Sequence, residues 1–126
     1  MISEILIVDD DPDIRGALRR LLERSGMQVI EAESAEAAIA QLVSSRPDVV
    51  VSDVMMPGRS GLELYETLVE HSPRLEGRVI FLTGAADEPA INARIEELGA
   101  PLIGKLEDLA VVVDAVRLAL VTSPGT

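Results

Sequence analysis

Five polar side chains with the chemistry needed for phosphoryl transfer stand at or just after the ends of short apolar segments in this 126-residue chain. They are Asp9, Asp10, Asp53, Thr83 and Lys105. Carboxylates that lie close together repel one another unless a cation or an ammonium group compensates them. Oxygen ligands favour a hard cation, and Mg²⁺ is typically held by one or two carboxylates with water and phosphate oxygens. A carboxylate beside Mg²⁺, a lysine and a hydroxyl has the groups that phosphoryl transfer to an aspartate oxygen requires.

These side chains meet only if the apolar segments are neighbouring strands of one sheet. Strands are predicted over residues 4–8, 27–31, 48–53, 78–83 and 101–104. Helices are predicted from Pro12 to Gly26 and over residues 35–45, 61–71, 88–98 and 107–121. Strands this continuously apolar are typical of a parallel sheet covered on both faces. We expect a doubly wound, flavodoxin-like α/β fold, (βα)5, with strand order 2-1-3-4-5.

In this order the first, third, fourth and fifth strands are neighbours, and their carboxyl ends form the side on which open α/β sheets bind ligands. Taken singly, each side chain also has a structural explanation, since acids after a strand often cap a helix, Thr83 can pack and Lys105 can be a surface charge. Their joint placement at four adjacent strand ends favours the chemical interpretation. His71 is predicted to lie at the surface, and Met55 and Met56 are predicted to be loop and packing residues.

The composition argues against several functional classes. The chain has 22 acidic residues against 11 Lys and Arg, a net charge of −11, which disfavours binding to nucleic acid or to an anionic membrane surface. The chain has no cysteine, so it has no thiolate metal site and no thiol nucleophile. No stretch approaches the roughly 18 apolar residues of a transmembrane helix, and the acidic start is unlike a secretory signal. We expect a cytoplasmic location, one domain over residues 1–122 and a flexible tail over 123–126.

Over about residues 3–121 the sequence resembles the receiver domains of two-component response regulators. The motifs that carry the resemblance are ILIVDDDP at 5–12, DVMMPGRSGLEL at 53–64, FLTG at 81–84 and Lys105. The ordered combination of these motifs is highly specific for the family. The stretch from 56 to 66, with FLTG, is most similar to receivers attached to hybrid sensor histidine kinases.

The resemblance implies a phosphoryl-accepting signalling switch in a phosphorelay, with Asp53 as the phospho-acceptor. Thr83 would bind the phosphoryl group in the active state, and Lys105 would pair with it. The implied Mg²⁺ ligands are Asp10, Asp53, the backbone carbonyl of Met55 and, through water, Asp9. A sensor histidine kinase or a phosphotransfer domain would be the donor. Such a domain is not an enzyme in the ordinary sense, although it promotes its own phosphorylation and dephosphorylation.

Three positions depart from the family pattern. Leu106 follows Lys105 where the family usually has proline, so a cis peptide bond is not expected there. Leu102 stands where the family usually has the aromatic residue that swings inward on phosphorylation. Ala85 is apolar where some relatives carry an acid. The chemical positions are retained, so these departures concern the readout through the fourth helix, the fifth strand and the last helix.

Three other functions are compatible with parts of the pattern. A degenerate receiver would act only as a protein-interaction module, but all the chemical positions are present. A small Mg²⁺-dependent aspartyl-phosphate hydrolase would need a second aspartate two residues after its nucleophile, where this chain has Met55. A flavodoxin-like cofactor binder would place a flavin phosphate in the first loop, which here is acidic.

Two helical surfaces are candidate interfaces. The first helix carries Arg15, Arg19, Arg20 and Arg24, and the face they form is predicted to meet the helical bundle of the kinase or phosphotransfer partner. On the last helix, a stripe predicted to face the sheet consists of Leu109, Val113, Val116 and Leu120. Val111, Ala115 and Leu118 lie nearly opposite this stripe. An apolar outer face suggests docking to a parent kinase or weak self-association.

Overall fold

The computed structural model describes residues 2–84, 88–105 and 108–121. The strands are β1 (Glu4–Val8), β2 (Gln28–Ala32), β3 (Val49–Asp53), β4 (Val79–Thr83) and β5 (Leu102–Gly104). The helices are α1 (Pro12–Arg24), α2 (Ala35–Gln41), α3 (Gly61–His71), α4 (Pro89–Glu97) and α5 (Ala110–Val121), with a short 3₁₀ turn at Pro73–Leu75. All strand pairs are parallel and the order is β2-β1-β3-β4-β5. The predicted fold is therefore confirmed.

Alternate residues of the strands face two separate apolar layers, because successive side chains of a strand point to opposite faces. Leu6 and Val8 of β1 belong to the layer that also contains buried residues of α2, α3 and α4. Ile5 and Ile7 belong to the layer that contains buried residues of α1 and α5. A sheet covered on both faces leaves the carboxyl ends of its strands as the open side where polar groups can collect.

Helix α2 ends at Gln41 rather than at residue 45, so the predicted end of this helix is wrong. The amides of Leu42, Val43 and Ser44 each donate to the carbonyl three residues earlier, which tightens the chain out of α geometry. Ala38 is buried, and Ile39 and Leu42 pack against the layer that contains Leu6 and Val8.

The sheet-facing side of α5 is rotated from its predicted position. The buried residues of the helix are Val112, Val113, Val116 and Ala119. Leu109 and Leu120 lie at the margin of that layer, and Ala115 packs against it instead of facing outward. Three consecutive valines cannot indicate from the sequence which side of a helix is buried. The described helix also begins at Ala110, later than the predicted 107, after a turn in which Ala110 donates to the Asp108 carboxylate.

Several smaller predictions can be compared with the described residues. His71 is exposed, Met56 is buried and Met55 is 37 % exposed. Val111 and Leu118 lie on the outside of α5, at 43 % and 66 % exposure, as predicted. No described helix combines the length and apolar character needed to cross a bilayer. Ala85, Leu106 and the tail over 123–126 lie outside the described residues, and the predictions made for them stay predictions.

Candidate functional site

Lys105 joins two buried carboxylates at the carboxyl side of the sheet. Its Nζ lies 2.9 Å from Asp53 Oδ2 and 3.0 Å from Asp9 Oδ2. The Asp9 and Asp53 side chains are 0 % and 4 % exposed, and that of Lys105 is 20 % exposed. Three strands bring these groups together: Asp9 follows β1, Asp53 ends β3, and Lys105 follows β5, where its amide donates to the Thr83 carbonyl. The predicted meeting of these three side chains is therefore present in the fold.

The three consecutive aspartates after β1 have different environments. Asp9 is fully buried; its amide donates to the Ala32 carbonyl, and its Oδ1 accepts from the Asp11 amide. Asp10 is exposed. Asp11 is the N-cap of α1, because its side chain accepts from the Asp13 amide. The helix-capping explanation of the acidic run thus applies to Asp11, while Asp9 and Asp10 belong to the strand-end cluster.

The loop after β3 and the start of α3 position Asp53. The Met55 amide lies 3.4 Å from Asp53 Oδ1, and the Val54 amide donates to the Leu82 carbonyl. The Gly61 amide donates to the Val54 carbonyl at 2.7 Å, which brings the first residue of α3 directly against the Asp53 backbone. A Ser60 and Glu63 capping box closes this end of the helix.

Thr83 ends β4, and its hydroxyl contacts α4. The Asn92 Nδ2 donates to Thr83 Oγ1 at 3.2 Å, and Asn92 lies in α4. Asn92 could not be predicted from the sequence, because an isolated polar residue in the first half of a helix gives no signal of its partner. In this structure the side chain predicted to bind a phosphoryl group is thus linked to the helix beside β5.

The electrostatics of the cluster are dominated by burial. The pKa of Asp53 is raised to about 6, because burial and the charge of Asp9 raise it by more than the Lys105 hydrogen bond lowers it. Burial also raises the pKa of Asp9. Burial disfavours the Lys105 ammonium, but the hydrogen bonds to Asp53 and Asp9 outweigh it and raise the pKa of Lys105. Two acids therefore share one ammonium group, and their joint charge is only partly compensated.

This cluster has the donor set that a hard cation requires. Asp9, Asp10 and Asp53 form what we call the acidic cluster. Each offers a carboxylate oxygen, and the three oxygens lie within 4.8 Å of one another. Within the described part of the chain, the buried Asp9 Oδ2 accepts no hydrogen bond of normal geometry, although the Lys105 ammonium is near it. An all-oxygen cluster with one exposed member, Asp10, fits Mg²⁺, which keeps several waters.

Asp9, Asp10 and Asp11 form the acidic turn after β1. Next to this turn, two arginines of α1 bind one glutamate of β2. Arg15 Nε lies 3.0 Å from Glu31 Oε1, and Arg15 Nη1 donates to the Asp9 carbonyl at 2.6 Å. Arg19 Nη1 pairs with Glu31 Oε2, and its Nε lies 3.6 Å from Glu23. Two of the four arginines predicted to form a docking face are thus engaged within the chain, and Glu31 was not predicted as their partner.

Comparison with known proteins agrees with this geometry. A model described as the response regulator receiver domain matches residues 5–117. The C4-dicarboxylate transport transcriptional regulatory protein DctD of Pseudomonas aeruginosa is 34 % identical over 118 residues, which cover 94 % of this chain and 25 % of that protein. The chain therefore spans about a quarter of the length of this relative.

Two solved structures are similar over nearly the whole chain. The signal receiver domain of a signal transduction histidine kinase from Syntrophus aciditrophicus is 35 % identical, with a TM-score of 0.79 and coverage of 94 % of this chain and 89 % of that one. The response regulator protein TrrA from Thermotoga maritima, solved in complex with Mg²⁺ and BeF, is 28 % identical, with a TM-score of 0.80 and coverage of 94 % and 100 %. Receivers of both transcriptional regulators and kinases are thus among the similar proteins.

Proposed function

This chain belongs to the response regulator receiver domain family, and we propose that it works as a phosphoryl-accepting signalling switch with Asp53 as the acceptor. The observation that carries the proposal is the Lys105 ammonium, bonded to Asp53 and to Asp9 at the carboxyl side of the sheet. An ammonium in that position can neutralise charge on a phosphoryl group attached to Asp53. A proposed extension is that the donor is the phosphohistidine of a sensor kinase or phosphotransfer domain.

In the proposed step an oxygen of Asp53 attacks the phosphorus of the donor. A P–O bond to Asp53 forms, the P–N bond of the phosphohistidine breaks, and the imidazole leaves with the bonding electron pair and takes up a proton. The attacking carboxylate must be ionised. With its pKa raised to about 6, Asp53 is mostly ionised at neutral pH even without a bound cation.

The residues proposed to bind the metal are those of the acidic cluster. Asp10, Asp53 and the Met55 carbonyl would hold Mg²⁺ directly, and Asp9 would hold it through water. The bound ion would neutralise developing charge on the oxygens of the transferred group. Lys105 would pair with the attached phosphoryl group, and Thr83 would bind it after releasing its contact with Asn92.

Metal-dependent uptake of a single phosphoryl group tests the proposal. The wild-type chain is incubated with acetyl phosphate, with Mg²⁺ in one sample and EDTA in the other, and its intact mass is measured. We expect one phosphoryl group with Mg²⁺ and none with EDTA, since the two buried acids need a divalent cation to accept a third anionic group. The absence of uptake in both samples would contradict the proposal and favour a receiver that acts only as a protein-interaction module.

We propose that the kinase-docking surface of α1 includes Arg20 and Arg24 but not Arg15 and Arg19, which bind Glu31. Arg20 and Arg24 are both exposed, and among the described residues neither forms an ion pair. Arg19 is unsuitable for a charge-reversal test, because the glutamate of Arg19→Glu would face Glu31.

Reversing the charge of Arg20 is therefore expected to slow phosphoryl transfer from a histidine kinase that phosphorylates the wild-type chain. We expect Arg20→Glu to reduce the second-order rate about three- to tenfold at low salt, since surface charges mainly change the association rate. Arg46→Glu, which reverses the charge of an exposed arginine in the loop before β3, is the control. Equal slowing by both variants, or a loss of labelling by acetyl phosphate, would show that docking through α1 is not the cause.

A further inference from the structure

We propose that Arg15 is a positioning residue for the metal site, which acts by fixing the peptide group between Asp9 and Asp10. This inference rests on the proposed function, because it concerns how well the acidic cluster binds Mg²⁺. It assigns to Arg15 a role inside the site, in place of the partner-docking role predicted from the sequence.

The Arg15 guanidinium makes two directed contacts from a mostly buried position. Its Nη1 donates to the Asp9 carbonyl at 2.6 Å, and its Nε donates to Glu31 Oε1 at 3.0 Å. The side chain is 16 % exposed, and that of Glu31 is 26 % exposed. A planar guanidinium with several donors in fixed directions can satisfy a carboxylate and a carbonyl together, which a lysine ammonium does less well.

The contact with the Asp9 carbonyl controls the direction in which the chain leaves β1. On the amino side of Asp9, its amide is bonded to the Ala32 carbonyl. On the carboxyl side, the peptide group to Asp10 is held by Arg15. The peptide bond is planar, so fixing this carbonyl also fixes the amide nitrogen from which Asp10 continues.

Asp10 depends on this peptide group because little else orients it. Its side chain is exposed, and it accepts no hydrogen bond and forms no ion pair with the rest of the described chain. Asp9, in contrast, is held by the Asp11 amide and by Lys105. A loosened Asp9–Asp10 peptide would therefore misplace the exposed ligand first, and groups that orient metal ligands affect metal affinity strongly.

Glu31 compensates the positive charge of Arg15, which would otherwise weaken the binding of Mg²⁺. A guanidinium this near the acidic cluster would otherwise attract the Asp10 carboxylate and repel a divalent ion. Pairing with Glu31 compensates its charge and holds its plane.

Arg19 provides a matched control within the same network. It lies one helical turn after Arg15 and binds the other oxygen of Glu31. In the described part of the chain its other contacts are with Glu23 and the Val29 carbonyl, so it reaches the network without touching the acidic turn. A general loosening of α1 against β2 would follow from losing either arginine, whereas misplacement of Asp10 would follow only from losing Arg15.

The test is titration calorimetry of the full chain with MgCl₂, for the wild type, Arg15→Met, Arg15→Lys and Arg19→Met. We expect the Mg²⁺ dissociation constant of Arg15→Met to rise about tenfold, as is typical when a group supporting metal ligands is lost. Arg15→Lys, which retains a cationic donor, should lie between Arg15→Met and the wild type. Arg19→Met should stay within about twofold of the wild type. In metal-free protein, the Asp10 amide resonance should shift in Arg15→Met more than in Arg19→Met.

The outcomes separate this inference from the proposed function. If the wild type binds Mg²⁺ and the Arg15 variants bind it equally well, the positioning role is overturned and the proposed function stands. Equal weakening by Arg15→Met and Arg19→Met also overturns it, since general packing would then be the cause. If the wild type itself binds no Mg²⁺, the proposed metal site is overturned and the role of Arg15 with it. Should Arg15→Met fail to fold, as judged by circular dichroism, Arg15→Lys decides between these results.

Discussion

Asp53→Asn is expected to take up no phosphoryl group from acetyl phosphate and Mg²⁺ under conditions in which the wild-type chain takes up one. The amide of asparagine is not a nucleophile at neutral pH, so the attacking oxygen is lost. The replacement has nearly the same shape, and its amide oxygen can still accept from the Lys105 ammonium that binds Asp53 Oδ2. We therefore expect the fold to persist while the chemistry is abolished.

The intact mass of the treated protein measures this effect. Asp114→Asn is the control, because Asp114 is an exposed acid on α5, outside the acidic cluster. It undergoes the same loss of one charge and should label like the wild type. Labelling of Asp53→Asn at the wild-type level would show that another side chain is the acceptor.

The second large effect is expected from Gly61→Ala, which should lower the free energy of unfolding by about 2–3 kcal/mol. A Cβ atom at Gly61 would lie 2.3 Å from the Asp53 carbonyl oxygen and 3.2 Å from the Asp53 carbonyl carbon and the Val54 Cα. These are backbone atoms of the segment that presents the acceptor, so they cannot move aside as a flexible side chain could. Relief of the clash must shift α3 or the Asp53 backbone.

Urea unfolding of the two matched glycine variants tests this expectation. Gly16 lies inside α1, and the nearest atom to an added Cβ there is the end of the Arg20 side chain at 3.6 Å. Gly16→Ala should therefore raise the unfolding free energy, by about 0.5–1 kcal/mol, because alanine is the better helix former. If Gly61→Ala is as stable as the wild type, the close approach of α3 to the Asp53 backbone is wrong.

The arrangement of the acidic cluster could be predicted from the sequence because it depends on strand ends. Asp9, Asp53 and Lys105 each follow a short apolar segment, and the parallel order of the strands brings those ends together without reference to any side-chain detail. The same topology places Thr83 at the end of β4. Its contact with Asn92 depends on how α4 approaches the sheet, which no local pattern encodes.

The roles of the α1 arginines show why side-chain partners were harder to predict. Arg15, Arg19, Arg20 and Arg24 share a helix and a charge, and a helical projection cannot distinguish those that meet a neighbouring strand from those that face solvent. The position of Glu31 determines which of these arginines are engaged within the chain. This residue lies on β2 opposite Ile7, one strand away from the acidic turn, and it binds only the first two of the four arginines.

The ends and faces of two helices were mispredicted for a different reason. The apolar pattern continues past Gln41, although the backbone has already tightened into i→i−3 hydrogen bonds. In α5 the three valines from Val111 to Val113 form an apolar arc too wide to indicate one buried side. Packing against the sheet selects Val112 and Val113 and leaves Val111 exposed.

The location of the phosphoryl group tests the central claim most directly. An aspartyl phosphate is an acyl phosphate, which borohydride reduces to an alcohol, so a phosphorylated aspartate becomes homoserine and can be found by peptide mass mapping. After treatment with acetyl phosphate and Mg²⁺, we predict homoserine at position 53 and unchanged aspartate at Asp9, Asp10 and Asp11. Homoserine at one of those three positions, or a phosphorylated chain with aspartate intact at position 53, would contradict the account.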